Sequence, residues 1–192
     1  MYPFLRLALQ TWRLRRAPRI APTDTHVSHH LCWPWDLDGY LELNNGRTLT
    51  LYDLGRFGAG ARMGLIGMLQ ERRWGMAVAG ASVRYRRRVT AFQRIEMRTR
   101  LVGWDDRFIY IVQSMWVKGT CTSEALLRTA VTSRAGTVPA NDVAAALGWR
   151  GDAPEIPAWV RAWIEAEGTR PWPPPLVPEG QVPPAVATRA KG

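Results

Sequence analysis

Residues 35–56, WDLDGYLELNNGRTLTLYDLGR, join an acid-bearing loop to a helix start, and their reading decides the fold. Asp36 and Asp38 fall in a segment too short and glycine-broken to be helical, and Asn44 and Asn45 supply capping side chains. From Gly46 onward the pattern is helical. A helix start presents unpaired N–H groups and positive partial charge, so a carboxylate held just before it sits beside a place where developing negative charge is stabilised. A base or nucleophile next to an anion hole is a hydrolase layout.

Outward from this junction the chain organises itself. His26 to Trp33 reads as a first strand. The helical region runs from about Asn45 to Gln70 and carries Gly46, Gly55, Gly58, Gly60, Gly64 and Gly67. So many glycines weaken a helix unless close packing compensates, which predicts a helix buried against a sheet and broken near Gly58–Gly60. After Trp74 the period changes. Val83, Tyr85 and the basic run Arg84, Arg86, Arg87 and Arg88 are read as the beginning of a strand, and Ile95, Met97, Thr99 and Leu101 then alternate with charged residues. Trp104-Asp105-Asp106 forms a hairpin turn, Phe108 to Val117 the return strand, Lys118-Gly119-Thr120 a second turn, and Glu124 to Arg134 a closing strand. The expected class is α+β, one long helix wrapped by an antiparallel sheet, since that hides both apolar faces.

Four segments follow: an N-terminal basic helix over residues 1–23, a domain over 24–149, a helix within 150–168 and a Pro-rich tail over 169–192. The first is expected to be an amphipathic helix packed on its own domain or on a partner subunit; contact of residues 1–16 with an anionic membrane surface is the second reading. Its apolar run is broken by Arg6 and is too short to span a bilayer, and no signal-peptide cleavage pattern follows.

Composition sets further bounds. At 192 residues, 46% hydrophobic and 22% charged, the chain builds a globular core. The net charge of +10 favours anionic partners: nucleic acid, an anionic membrane or a phosphate-bearing small molecule. The arginines are dispersed through strands with no zinc-finger or RNA-binding signature, which argues against nucleic acid. Cys32 and Cys121 lie far apart with no CxxC pattern, as suits a reducing cytoplasm. Of His26, His29, His30 and Cys32, strand alternation puts His26, His30 and Cys32 on one face, and with no fourth ligand and no second cluster no metal site is expected.

The order strand, D-x-D loop, N-N, buried helix and long antiparallel strands resembles the hotdog fold. DLDGYLELNNGR is similar to the D-x-D-x-x-G-H-x-N-N signature of the 4-hydroxybenzoyl-CoA thioesterase-like family, gap-free from Asp36 to Asn45. SVRYRRRV, TRLVGWDDRF and GTVPANDVAAALG also look like the small bacterial acyl-CoA thioesterases of the thioesterase superfamily. The resemblance implies hydrolysis of an acyl-CoA thioester, with coenzyme A part of the substrate and no separate cofactor. It implies homodimers, or dimers of dimers, whose sheets join edge to edge with active sites at the interface. Asp38 takes the position of the catalytic carboxylate, and the amides near Asn45 and Gly46 that of the oxyanion hole, with Asn44 and Glu42 shaping the site. Arg84, Tyr85, Arg86, Arg87, Arg88 and Trp104 are the candidates for the phosphates and adenine of coenzyme A.

Two departures mark this chain. The signature's Gly-His is Leu41-Glu42, and the Tyr often found three residues after the second Asn is Thr48. Glu42 beside Asp38 would disfavour the second negative charge, weakening a nucleophile and suiting a general base. The alternative function is therefore an acyl-CoA binding protein on the same scaffold without turnover. Asp36 is read as a loop or capping acid and Arg56 as the ion-pair partner of Asp53 or of an acid on a partner subunit.

Overall fold

The computed structural model describes residues 3–14 and 16–174; the Pro-rich segment from 175 onward, expected to be a tail, lies outside the described residues. The chain divides into two units, residues 1–156 and 157–192. In the second, α5 (Ala158–Gly168) starts after Pro157, and an Arg170–Glu167 pair of 3.1 Å follows its end.

The first unit holds α1 (Phe4–Leu14), β1 (His26–Leu31), α2 (Asn45–Met63), α3 (Leu65–Arg72), β2 (Gly75–Tyr85), β3 (Arg94–Trp104), β4 (Ile109–Val117), β5 (Thr120–Ser133), β6 (Gly136–Val138) and α4 (Ala140–Ala146). The sheet runs β1-β3-β4-β5-β2, every pairing antiparallel, with β6 added to β5. This is the α+β hotdog arrangement, with α2 against the concave face of the sheet. The β4–β5 connection is a two-residue turn in which Lys118 and Gly119 both have positive φ, 49° and 77°, as the right-handed twist of the flanking strands requires.

Glycine lets α2 sit close to the sheet. A Cβ on Gly55 would collide with Met97 Sδ and crowd Gln113 Nε2 at 3.1 Å and Thr99 Oγ1 at 3.2 Å. Beneath it, the buried Gln113 amide donates to Tyr52 O and Thr99 Oγ1, both at 2.9 Å, while its Oε1 accepts from Arg56 at 2.8 Å. Arg56 also pairs with Asp53 at 2.7 Å, the structural role expected of it. Leu51, Tyr52 and Leu54 of α2 pack with Ile95, Met97, Met115 and Leu127 of the sheet. Burial of this order, about 25 cal/mol per Å² of apolar surface, holds a helix so poor in intrinsic propensity.

Two expectations are corrected, and one strand was not foreseen. The helix breaks at Gly64, not at Gly58–Gly60: Gly64 has φ 80°, caps α2 and starts α3, whereas Gly58 and Gly60 are buried helical residues. The break falls where a left-handed residue is needed, and the other glycines serve close approach. The basic run ends a strand and does not begin one. β2 already starts at Gly75, and the N–H groups of Arg86 and Arg87 both turn out to Thr122 O, at 2.8 and 3.0 Å. The small residues of GMAVAGAS hid this strand, because it lies at the sheet edge and is exposed on both faces. Finally, β6 was not anticipated, being three residues long.

Candidate functional site

Asn44 builds the start of α2. Its side-chain Oδ1 accepts from the N–H groups of Gly46 at 2.8 Å and Arg47 at 3.3 Å, and its carbonyl accepts from Thr48 N at 2.8 Å. The N–H of Gly46 is thus committed to the cap. Among the described residues the Asn45 N–H has no such partner, which leaves it as the first-turn amide available to an anion.

The loop before the helix is folded on itself. Asp38 N donates to Glu42 O at 2.9 Å, Leu41 N to Asp38 O at 3.1 Å, and Tyr40 N to the Asp38 carboxylate at 2.8 Å. Leu37 and Leu43 form an antiparallel bridge below it. Closing this turn puts Leu41 at φ 59°, the left-handed region that glycine fills without strain. Leu41 stands where the resembled signature has its glycine, the residue that enters this region without strain.

Asp36 plays a different part from Asp38. It is 1% exposed and accepts from Arg6 Nη2 at 2.7 Å and from Trp33 N at 3.0 Å, with Arg47 Nε at 3.8 Å. The carboxylate ties α1 and the start of α2 to the loop, so Asp36 is a structural anchor.

A cavity of about 240 Å³ opens where the helix start meets the end of β2. Glu42, Leu43, Asn45 and Thr48 line one side, Tyr85, Arg86, Arg87, Arg88 and Val89 the other, with Ser123 at the base. Leu43 N donates to Val89 O at 2.7 Å and so fixes the two walls to each other. Glu42 pairs with Arg88 at 3.3 Å, an exposed contact. Ser123 Oγ meets the buried Tyr52 hydroxyl at 2.9 Å; burial raises the Tyr52 pKa above its usual value, so this hydroxyl stays neutral.

The fold brings together Glu42, Asn45, Tyr85 and Arg86–Arg88 from the sequence candidates. Asp38 belongs to the same loop as Glu42 but is not a lining residue of the cavity, and Arg84 lies on exposed β2 opposite Glu124. Trp104 is elsewhere. It is 5% exposed, donates to Asn141 Oδ1 at 2.7 Å and packs edge-on against Trp149 at 5.6 Å, within the cluster of Ile109, Val131 and Val143. Named from sequence as a candidate to stack on adenine, Trp104 lies in the core instead, just past the bulge between Leu101 and Gly103. Thr48, noted from sequence only as a departure from the signature, and Ser123, not named from sequence because a lone hydroxyl carries no spacing signal, are both buried at the cavity.

Two of the histidines, His26 and His30, are held within β1 by hydrogen bonds. Burial first, and then the Arg62 charge, lower the His26 pKa to about 4, and Arg62 Nη1 donates to its Nδ1 at 3.2 Å. Burial, then the Arg6 charge and the neighbouring histidines, lower that of His30 to about 4, and His30 Nε2 contacts Ser28 Oγ at 2.9 Å. Cys32 is buried with its thiol pushed up to about 11.

Comparison with known proteins agrees with this architecture. The sequence profile of the Thioesterase-like superfamily matches residues 32–164. The chain is 31% identical over 147 residues to Protein THEM6 of Drosophila melanogaster, covering 75% of this chain and 74% of that one. Among solved structures, the YbaW probable thioesterase of Escherichia coli superposes with a TM-score of 0.60 at 14% identity, covering 63% of this chain and 95% of its own. Slr0204, a 1,4-dihydroxy-2-naphthoyl-CoA thioesterase from Synechocystis, superposes with a TM-score of 0.57 at 8% identity, covering 65% and 95%. A matching profile over most of the chain, a relative of similar length and a shared hotdog fold together make this protein a member of the thioesterase-like superfamily.

Proposed function

We propose that this protein hydrolyses an acyl-coenzyme A thioester to the free acid and coenzyme A. The observation that carries the reading is one cavity in which the start of α2, an acid-bearing loop and three consecutive arginines converge. Arg86, Arg87 and Arg88 offer guanidinium forks to the phosphates of coenzyme A, and Tyr85 offers a face to the adenine. The thioester carbonyl then lies toward the helix start, where the Asn45 N–H and the helix dipole stabilise the oxyanion, with Asn44 and Gly46 holding the shape of that turn.

Asp38 supplies the carboxylate, as base or as nucleophile. As base it takes a proton from water while the water oxygen bonds to the carbonyl carbon; the tetrahedral adduct collapses, the C–S bond breaks and the thiolate departs. A thiolate leaves without strong protonation, so one carboxylate and one or two amides suffice. No cofactor is required. Glu42 is a second reading for the carboxylate, favoured because Glu42 itself lines the cavity.

A homodimer, or a dimer of dimers, joined through the exposed edge of β2 fits this reading, because Tyr85 at the end of that strand belongs to both the edge and the cavity. No helix among the described residues is long and apolar enough to cross a membrane, and the proposed workplace is the cytoplasm. Release of free thiol from short, long and aromatic acyl-CoAs tests the reading, with Asp38→Asn and Glu42→Gln alongside wild type. Saturable acyl-CoA binding without thiol release would favour the non-catalytic binding protein.

A further inference from the structure

Helix α1 is packed the wrong way round for a helix serving only its own core. At about 100° per residue, Phe4, Leu5, Ala8, Leu9 and Trp12 share one arc of roughly 140°. All five are exposed: Phe4 at 69%, Leu5 at 82%, Leu9 at 57% and Trp12 at 68%, with Ala8 between them. The opposite side faces the domain, and it carries polar groups. Arg6 reaches buried Asp36, and Gln10 Nε2 donates to Leu54 O at 3.0 Å, with Gly58 making room for it. Leu7 and Leu14 add apolar contact there.

The apolar surface continues past the helix. A groove of about 730 Å³ separates α1 from β1, with Leu9 and Leu14 on one bank, Leu31 and Trp33 on the other, and Arg94 at its margin. Trp33 stacks on exposed Trp35 at 4.9 Å and meets exposed Phe92 edge-on at 6.4 Å.

We propose that the outer face of α1, together with the Trp33–Trp35–Phe92 cluster, docks this protein onto an anionic lipid surface. Charge selects this occupant. Residues 1–23 contain five arginines and no acid, and among the described residues of this segment Arg6 is the one that pairs with Asp36. A second copy meeting this face across a two-fold axis would oppose two acid-free basic segments, whereas anionic headgroups neutralise them. Tryptophans beside an apolar helix face are suited to the headgroup boundary, where the rings are apolar and the indole N–H meets water. The docked helix lies in the plane of the surface and stays held to the domain by its Arg6 and Gln10 contacts.

The test is co-sedimentation of the full chain with vesicles of equal phosphatidylglycerol and phosphatidylcholine, or of phosphatidylcholine alone, in about 0.1 M salt, where exposed charges still act over roughly 10 Å. Wild type is expected to bind the anionic vesicles and not the neutral ones. The triple variant Leu5→Gln/Leu9→Gln/Trp12→Gln should bind at least about tenfold more weakly. The double variant Arg16→Glu/Arg19→Glu, which leaves the apolar face intact, should lose the preference for anionic lipid. Wild type that ignores both vesicles, or a triple variant that binds as wild type does, would overturn the proposal. A concentration-dependent association of wild type that the triple variant abolishes, with no vesicle binding, would overturn it too and assign the face to contact between copies.

Discussion

The guanidinium of Arg6 lies 2.7 Å from the carboxylate of Asp36, thirty residues away and 1% exposed. This pair sets which side of α1 faces inward and fixes the loop that leads to Asp38 and Asn44. Asp36→Ala removes the acceptor for both Arg6 and the Trp33 N–H and leaves a cation partly buried. A loss of about 3 kcal/mol is expected, and a similar loss for Arg6→Ala, which leaves the buried carboxylate without the cation 2.7 Å away. Urea unfolding of both singles and the double variant checks this through the coupling energy, which should vanish if the pair is not an anchor.

Gly55 is the point where α2 crosses the sheet most closely, with Met97, Gln113 and Thr99 in the way of any side chain. Gly55→Ala should destabilise the fold by about 1–3 kcal/mol although alanine is the better helix former. Gly67, with nothing near its missing side chain, is the control: Gly67→Ala should be neutral or stabilising by about 0.5–1 kcal/mol. Thermal unfolding of the two variants reads the difference.

Leu41 holds φ 59° with its side chain 71% exposed. Left-handed backbone costs a non-glycine residue roughly 1–2 kcal/mol, and glycine gives back about 0.5–1 kcal/mol through the entropy of the unfolded chain. Leu41→Gly should therefore raise stability by about 0.5–1 kcal/mol, a melting shift of roughly 1–4 °C. A lower melting temperature would mean that Leu41 makes contacts worth more than its strain.

His26 and His30 both titrate near 4 in the folded protein, because burial and neighbouring positive charge disfavour the imidazolium. In the unfolded chain each takes up its proton near 6.5. Above that pH both states are neutral and stability is unaffected. As pH falls from about 6.5 toward 4 the unfolded chain binds protons the folded one refuses, and stability declines by on the order of 3 kcal/mol for each histidine. Urea midpoints between pH 7 and 4.5 should fall for wild type and fall less steeply for His26→Asn, in which Oδ1 can still accept from Arg62.

How much of this was legible in the sequence follows from the range of each interaction. The capped start of α2, the meander of β3 to β5 and the Lys118-Gly119 turn rest on neighbours in sequence, and all are found where the pattern put them. The arginine run, named from sequence as a candidate for the coenzyme A phosphates, follows the end of β2 and lines the cavity with Glu42. What escaped depends on distant partners. Arg6 and Gln10 face inward because Asp36 and Leu54 O await them, and Trp104 is buried because Asn141 and Trp149 close over it. Gly58 looked like a helix breaker because nothing local discloses that Gln10 and His26 press against it.

The most direct test of the account is release of free coenzyme A from a panel of acyl-CoAs by wild type, Asp38→Asn and Glu42→Gln. Turnover by wild type is expected, with a fall of at least about a hundredfold in Asp38→Asn and acyl-CoA binding retained. A fall confined to Glu42→Gln would move the carboxylate role to the cavity wall, and absence of thiol release from every substrate by wild type would contradict the hydrolase reading.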